Sequence, residues 1–497
     1  MWRKTSYAYV TEFYDAGMLV AVRVVMLMLC LPFMSLANEP QLSDFEKWQK
    51  ARTAEFAEYI SAQDQEFSQF LKQRWVDKTV ETVPVKPSTP KLPQAPIAPV
   101  KNKQQDYSAP VKVIEPEPLI LPAKIIKPDT PTVAVSNFTF LGAPLQLDIN
   151  PFPTLSIEQL NAQSVAALWQ QMAKTNQSAL VGQLQQISEQ LNLDDWASAY
   201  MTHEVIAEFV TGDNTNDKLM YAWYYLVQQG YDVRVGYEAS NLYLLLGINA
   251  KVYGKKFLTL NNKRYYFIDF AHPNLEPSIK VKTYQKQHAQ ASKLLSIDLA
   301  KLPNVSGALS HRKLNFSFAG QAFDLSVPYS TSYVELLASY PQLELKHYFG
   351  VDLLPETKQA LLEQLKPLIE GKTEQQALNL LLRFVQKAFD YQTDDEQFNQ
   401  ENFLVATETL HYPYADCEDR SVLYAYLVKQ LLGNDVIGVL YKGHIATAVK
   451  PHSQLQGAGY NVNGAKYLVA DPTYMGADIG EVMPGYGAQS PRLIVIN

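Results

Sequence analysis

Hydrophobic and polar positions alternate along this chain with three different periods, and the period changes mark the parts. Residues 41 to 76 carry Phe45, Trp48, Phe56, Tyr59, Ile60, Phe67, Phe70, Leu71 and Trp75, at spacings of three and four. Such spacing draws one apolar stripe along a long amphipathic helix. The stripe serves as core, as a coiled-coil seam, or as a docking face for a partner. Next, Pro84, Pro87, Pro90, Pro93, Pro96 and Pro99 recur at every third residue, and prolines continue loosely to Pro131. Polyproline II has three residues per turn, so the pattern predicts a semi-rigid extended spacer over 81–131, or a PxxP ligand for a groove domain.

From about residue 132 the pattern is globular. Helical periodicity dominates 157 to 230, in LNAQSVAALWQQMAK and KLMYAWYYLVQQG. Alternation at period two follows in KKFLTL and RYYFIDF. Residues 313–328 set Leu314, Phe316 and Phe318 opposite Phe323, Leu325 and Val327, predicting a hairpin across a Gly320-Gln321 turn. Two helices come next, the second opened by a Thr373–Gln376 capping box. A further helix begins near Cys417, and strands follow at DVIGVLYKG, HIATAVK and AKYLVADPTY. The fold class expected is α+β. The parts are 1–37, an amphipathic helix in 38–80, the spacer 81–131, an α/β domain 132–305, a hairpin connector 306–335 and a last domain 336–497.

Composition narrows the function classes. The chain has 497 residues, 47% apolar and 19% charged, with a net charge of −7 spread thinly. That is long enough for two or three cores. Without a basic stripe, nucleic acid is not an expected partner. Thirty tyrosines suit ligand grooves and half-buried strands equally.

There are two cysteines, Cys30 and Cys417. Cys30 lies in VVMLMLCLPFM, which follows Arg23 and ends at Ser35-Leu36-Ala37. A positive residue, an apolar run of about ten residues and a small-x-small end make an export signal. The expectation is a signal in 1–37, with Met18 as an alternative start, and an exported, periplasmic chain. An uncleaved signal anchoring it in the inner membrane is the alternative. With the signal removed, Cys417 is the one thiol left, which points to intermolecular pairing or a reactive thiol.

The segment YPYADCEDRSVLYAYL places Asp416 as N-cap, Cys417 at N1 and Asp419 at N3 of a helix that Gly433 ends. Thiols at helix starts have lowered pKa values. The flanking acids are read as serving the helix end, so activation needs a base. His444 opens one strand and Asp471 ends a later one. If those strands pair, Asp471 can orient His444 and His444 can face the sulfur, which is nucleophile–base–orienter chemistry. The chain lacks HExxH and paired CxxC motifs, so no metal and no cofactor is expected.

Tyr414-Ala415-Asp416-Cys417-Glu418-Asp419-Arg420, Gly443-His444-Ile445-Ala446-Thr447-Ala448 and Ala470-Asp471-Pro472-Thr473-Tyr474 resemble the three motifs of bacterial transglutaminase-like proteins, within the papain-like superfamily. The resemblance covers roughly 330–490, including Phe384-Val385-Gln386 and Tyr391 to Glu408. It implies a papain-like core with Cys417 as nucleophile, His444 as base and Asp471 as orienter. It also implies acyl transfer through a thioester, to water (peptidase or amidase) or to an amine (transglutaminase), on a protein or peptide substrate; the spacer and the N-terminal helix suggest a tether to an envelope partner. The backbone N–H of Cys417 is the first oxyanion donor. His411 and Tyr412 stand where papain-like enzymes add a side chain, and neither is the usual Gln. A non-catalytic binding module on the same fold is the rival.

Residues 214–270 echo the C-terminal segment. MYAWYYLVQQGYDV aligns with LYAYLVKQLLGNDV, setting Gly230 on Gly433 and Asn214 on Cys417, while KRYYFIDF sets Asp269 on Asp471. A repeat of this kind would be a degenerate copy without a nucleophile.

Overall fold

The computed structural model describes residues 44–82, 94–99, 135–153, 159–175, 178–212, 214–271 and 277–496. The signal segment with Cys30 and most of the spacer lie outside these residues. Two compact units divide at Ile60 and Ser61. Among the described residues no helix is long and apolar enough to cross a membrane.

The apolar stripe folds as the helix Asp44–Leu71. In the first unit Phe45, Trp48 and Tyr59 are exposed. In the second, Phe67 and Leu71 are buried, and the Phe67 ring lies 4.9 Å from Trp169 and 5.1 Å from His288. The helix ends where Trp75 folds back, its Nε1–H donating to Leu71 O at 3.0 Å. The chain then supplies strand Val76–Thr79 to a sheet. The helix is thus shorter than the apolar stripe, because Trp75 is used as a C-terminal cap rather than as a further turn.

The second unit contains one arrangement twice. The first copy has a hairpin (Val135–Phe140, Ala143–Asp148) and helices Ala162–Lys174, Ser178–Gln190, Asp195–Phe209 and Thr215–Gln228. Strands Val233–Glu238, Asn241–Gly247, Lys256–Leu260, Lys263–Phe267 and Lys280–Thr283 complete it. The second copy has a hairpin (Ser310–Phe318, Gln321–Tyr329) and helices Thr331–Ser339, Pro355–Ile369, Glu374–Lys387 and Cys417–Leu432. Its strands are Asp435–Tyr441, His444–Lys450, Gly459–Val462, Ala465–Ala470 and Arg492–Val495. In both sheets the spatial order of the five strands is fifth, first, second, fourth, third. All named pairings are antiparallel. Two short strands extend the first sheet at its edges, Val76–Thr79 on Lys280–Thr283 and Glu81–Thr82 on Lys256–Leu260, so the first two residues of the expected spacer 81–131 belong to the sheet, where backbone pairing holds them.

The copies differ most before the last helix. Residues 210–214 suffice in the first, whereas 388–416 in the second hold the short helices Asp394–Phe398 and Ala406–His411. That added segment delivers Cys417.

The hairpins repeat in sequence too, as Asn137-Phe138-Thr139-Phe140-Leu141-Gly142 and Asn315-Phe316-Ser317-Phe318-Ala319-Gly320. Leu314 pairs with Leu325 and Phe316 with Phe323, as expected from alternation. The turn is Ala319-Gly320, one residue earlier than Gly320-Gln321, with φ of 51° and 84°. A two-residue hairpin turn with both residues at positive φ matches the twist of the strands, and it overrides the reluctance of alanine to adopt that conformation. The two turn glycines differ in surroundings. A Cβ on Gly142 would stand 1.9 Å from Ser306 O, while one on Gly320 would meet nothing within 4 Å. Gly320→Ala is expected to cost about 1 kcal/mol from backbone strain. Gly142→Ala should cost about 3 kcal/mol or more, because the Ser306 backbone must also move. Urea midpoints of the two variants check this, and equal losses would refute it.

Candidate active site

The helix Cys417–Leu432 forms because its ends are written locally. Asp416 caps it, accepting from Glu418 N–H at 3.2 Å, and Asp419 closes the capping box on Asp416 N–H at 3.2 Å. Gly433 ends it at φ 69°. Val422, Leu423, Leu427 and Leu431 are buried. The helix packs on the two helices Pro355–Ile369 and Glu374–Lys387 and on the strands that follow it. The chain leaves it and returns antiparallel through Asp435–Tyr441, so the end of that strand lies beside the helix start.

At this end a two-residue turn, Lys442-Gly443, leads into His444, directly opposite Tyr441. Strand His444–Lys450 pairs with Ala465–Ala470, Thr447 opposite Ala470. Continuing that register sets Asp471 opposite Ala446, on the face that His444 shares, within diagonal reach. The contact is made: His444 Nε2 lies 2.8 Å from Asp471 Oδ2. Both residues are buried. An ionised carboxylate only accepts, so with Asp471 ionised Nε2 carries the hydrogen and the lone pair is on Nδ1. Nδ1 is buried and has no hydrogen-bond partner among the described residues. Asp471 is itself held, its Oδ1 accepting from Thr473 and Tyr474 N–H at 2.9 and 3.1 Å.

Cys417 is buried and in no disulfide. Ser421, one turn below it on the same helix face, donates to Ile445 O at 3.4 Å, beside His444. Tyr486 links the groups. Its ring lies 5.1 Å from the His444 ring. Burial pushes its phenol up, and the charges of Cys417 and Asp471 push it further. Tyr441 stacks on His444, 6.1 Å between centroids and 5° between planes, and its ring lies 5.2 Å from that of Tyr486.

The acids divide differently from the sequence reading. Asp416 and Asp419 serve the helix end, as expected. Glu418 does not: it is buried, and the Cys417 thiol donates to its Oε2 at 2.8 Å. A carboxylate here favours the protonated thiol. The opposing charge is Arg420, 1% exposed. Burial lowers its pKa, while Tyr391, Asp416, Asp419 and Cys417 raise it. Arg420 donates to Ala415 O at 3.1 Å, Gln386 O at 3.2 Å and Phe389 O at 2.8 Å, and to Met475 Sδ at 3.6 Å. It ties the approach to Cys417 onto the helix Glu374–Lys387.

Gln386 is a second brace. Fully buried, its Nε2 donates to Asp471 O at 3.0 Å and Tyr474 O at 2.9 Å, and its Oε1 accepts from Gly476 N–H at 3.0 Å. The loop that presents Asp471 is thereby fixed from a helix. Arg420 and Gln386 stand within the sequence motifs, and nothing local in those motifs announces either task.

His411 and Tyr412 make ring contacts, and His411 Nδ1 is buried without a hydrogen-bond partner among the described residues. His411 lies edge-on to Tyr329 at 4.9 Å, Tyr412 edge-on to Phe398 at 5.1 Å, and Arg312 donates to Tyr412 O. In the first turn the Asp416 side chain takes the Glu418 N–H and closes the capping box on the N3 N–H, and Arg420 N–H begins the ladder on Asp416 O, so the Cys417 N–H at N1 is the first-turn donor at the place where an oxyanion would form.

Two groups of side chains bring ligand-capable atoms within 4.8 Å of one another, Asp416 with Cys417 and Glu418, and Asp394 with Asp416 and Asp419. Several of these oxygens accept from backbone N–H: Asp394 from Asn402 at 2.9 Å, Asp419 from Leu404 at 3.0 Å. The charges of Asp416 and Asp419 also interact with Arg420.

Glu408, just before this cluster, is buried and its carboxyl is pushed up to about 8 by burial, against a hydrogen bond from Val405 N–H that lowers it. The folded protein therefore holds a proton that the unfolded chain releases near its ordinary value of 4.5. Stability from this group is full below that value and is lost as pH rises through about 8, by about 1.4 kcal/mol per pH unit between the two. Glu408→Gln keeps the neutral form. Its stability relative to wild type should climb between pH 5 and pH 8 in urea unfolding; parallel curves would refute the assignment.

In the first copy, the register set by Gly230 and Gly433 puts Asn214 at the place of Cys417 and Asp217 at that of Arg420. Asn241 opens the strand that corresponds to His444–Lys450. A shallow depression lies there, with no room for a water molecule, lined by Leu219, Leu242, Tyr243, Leu244, Phe267, Ile268 and Asp269. No cysteine or histidine is among these residues.

Comparisons with protein-family models, curated proteins and solved structures return no match.

Proposed function

We propose that this chain is a transglutaminase-like cysteine enzyme acting on amide bonds of a protein or peptide. Cys417 gives up its proton to His444 Nδ1, and its sulfur attacks the amide carbonyl. The C–N bond breaks as the imidazolium returns the proton to the leaving amine. Water or a second amine then attacks the thioester, His444 takes its proton, and the thiolate recovers it. Asp471 fixes the ring and stabilises the imidazolium. The backbone N–H of Cys417 receives the oxyanion. Export to the periplasm belongs to the same reading, with the N-terminal helix or the spacer meeting an envelope partner.

The observation that carries it is a buried histidine with one nitrogen held by a carboxylate and the other, also buried, without a hydrogen-bond partner among the described residues, its ring against Tyr486, whose phenol also feels the charge of Cys417. The second reading, a binding module, is favoured by the low exposure of Cys417 and His444, 3% each, and by the thiol's bond to Glu418. Iodoacetamide alkylation across about pH 4 to 9, followed by mass spectrometry of the Cys417 peptide, separates them. Fast labelling that persists below about pH 6 supports the enzyme; a rate following an ordinary thiol near 8.5 leaves the binding module.

A further inference from the structure

One piece of the proline spacer is docked beside this site. Ile97 pairs in parallel with Met475. Ala98 N–H donates to Met475 O at 2.7 Å, and Met475 N–H donates to Pro96 O at 2.7 Å. The side chains alternate as in a strand: Ile97 is 82% exposed and Ala98 7%. Ala98 packs with Tyr474, Ala477, Met483 and Tyr486. Its methyl lies over Gly476, where an added Cβ would stand 4.0 Å away. The proline period permits this. Pro96 uses only its carbonyl, and Ala98, the residue whose N–H the edge needs, is not a proline.

The edge belongs to the candidate site. Met475 lies four residues after Asp471, Tyr474 N–H donates to Asp471 Oδ1 at 3.1 Å, and Arg420 donates to Met475 Sδ at 3.6 Å. Tyr486, packed against the apolar cluster that contains Ala98, has its ring 5.1 Å from that of His444. An extended peptide gains affinity from backbone pairing at such an edge and specificity from pockets for alternate side chains.

We infer that the Met475 edge is the peptide-docking edge of this site, and that residues 94–99 of the chain hold it as a built-in competitor of the substrate. The inference rests on the acyl-transfer reading. It names the substrate class as an extended peptide strand with a small residue at the place of Ala98. A larger or charged residue there does not fit between Tyr474, Met483 and Gly476.

Full-chain Ala98→Glu and Ala98→Pro test it, the first by charging the pocket and the second by removing the donated N–H. Ile97→Ser, at the exposed position, is the control. Amide hydrogen exchange at Met475 should rise about tenfold or more in both test variants and stay unchanged in the control. Alkylation of Cys417 by iodoacetamide should rise several-fold in the same two variants. Equal exchange at Met475 in all four proteins overturns the docking. Released docking with unchanged alkylation overturns the competition at the site. Slow alkylation that ignores His444 in every protein, with docking intact, instead overturns the acyl-transfer reading on which the inference stands.

Discussion

Replacing His444 by alanine is expected to slow alkylation of Cys417 by about a hundredfold at about pH 6, with the difference shrinking toward pH 9, where an ordinary thiol ionises by itself. The size follows from what remains. Without the imidazole, the Cys417 sulfur keeps Glu418 Oε2 at 2.8 Å, a carboxylate that disfavours the thiolate. The helix start and Arg420 favour it, but neither accepts a proton. Asp471→Asn should act in the same direction and less, since it spares the ring and removes what holds Nε2. The readout is the pH profile of the rate rather than one rate, because a merely structural change would scale all pH values alike. A His444→Ala profile that overlays wild type would sink the proposal.

What the sequence discloses here is what is local. The helix Cys417–Leu432 is legible because its signals, Asp416, Asp419 and Gly433, all act within one turn of its ends. The capping box Thr373–Gln376 is legible for the same reason. His444 and Asp471 are legible at one remove: each sits at a strand end, and only pairing makes them neighbours. Arg420, Gln386 and Glu418 are not legible in their tasks. Gln386 acts on Asp471, Tyr474 and Gly476, far along the chain, and nothing in a run of helical residues says which of them is polar for that purpose. Glu418 looks like another first-turn acid until its side chain is seen turned to the sulfur.

The repeat was half visible for a physical reason as well. Gly230 and Gly433 end equivalent helices, and the strands behind them alternate alike, so those segments align. The hairpins at 137–142 and 315–320 align too. Between them stand helices whose only shared demand is an apolar stripe, and many sequences meet it. The spacer shows the opposite limit. Its period announces an extended rod, and the same period leaves Ala98 as a donor, but the edge that receives it is set by the fold around Met475.

Arg420→Met is expected to destabilise the second unit by about 3–5 kcal/mol, the cost of breaking a buried charge arrangement by removing one partner. The guanidinium is 1% exposed and donates to the carbonyls of Ala415, Gln386 and Phe389. Methionine fills much of the volume and meets none of these acceptors, so three buried carbonyls lose a donor. Asp416 and Asp419, whose charges interact with the guanidinium, also lose that cation. Arg420→Lys separates the two terms. It restores a charge but not the planar fork that reaches several carbonyls at once, so it should recover part of the loss and not all of it. Urea unfolding followed by tryptophan fluorescence measures both. If methionine and lysine cost the same, the charge is irrelevant and the carbonyl contacts carry the effect. If methionine costs less than about 1 kcal/mol, the brace beneath Cys417 is not there. The site would then have to be held by the Asp416–Asp419 capping box and Gln386 alone.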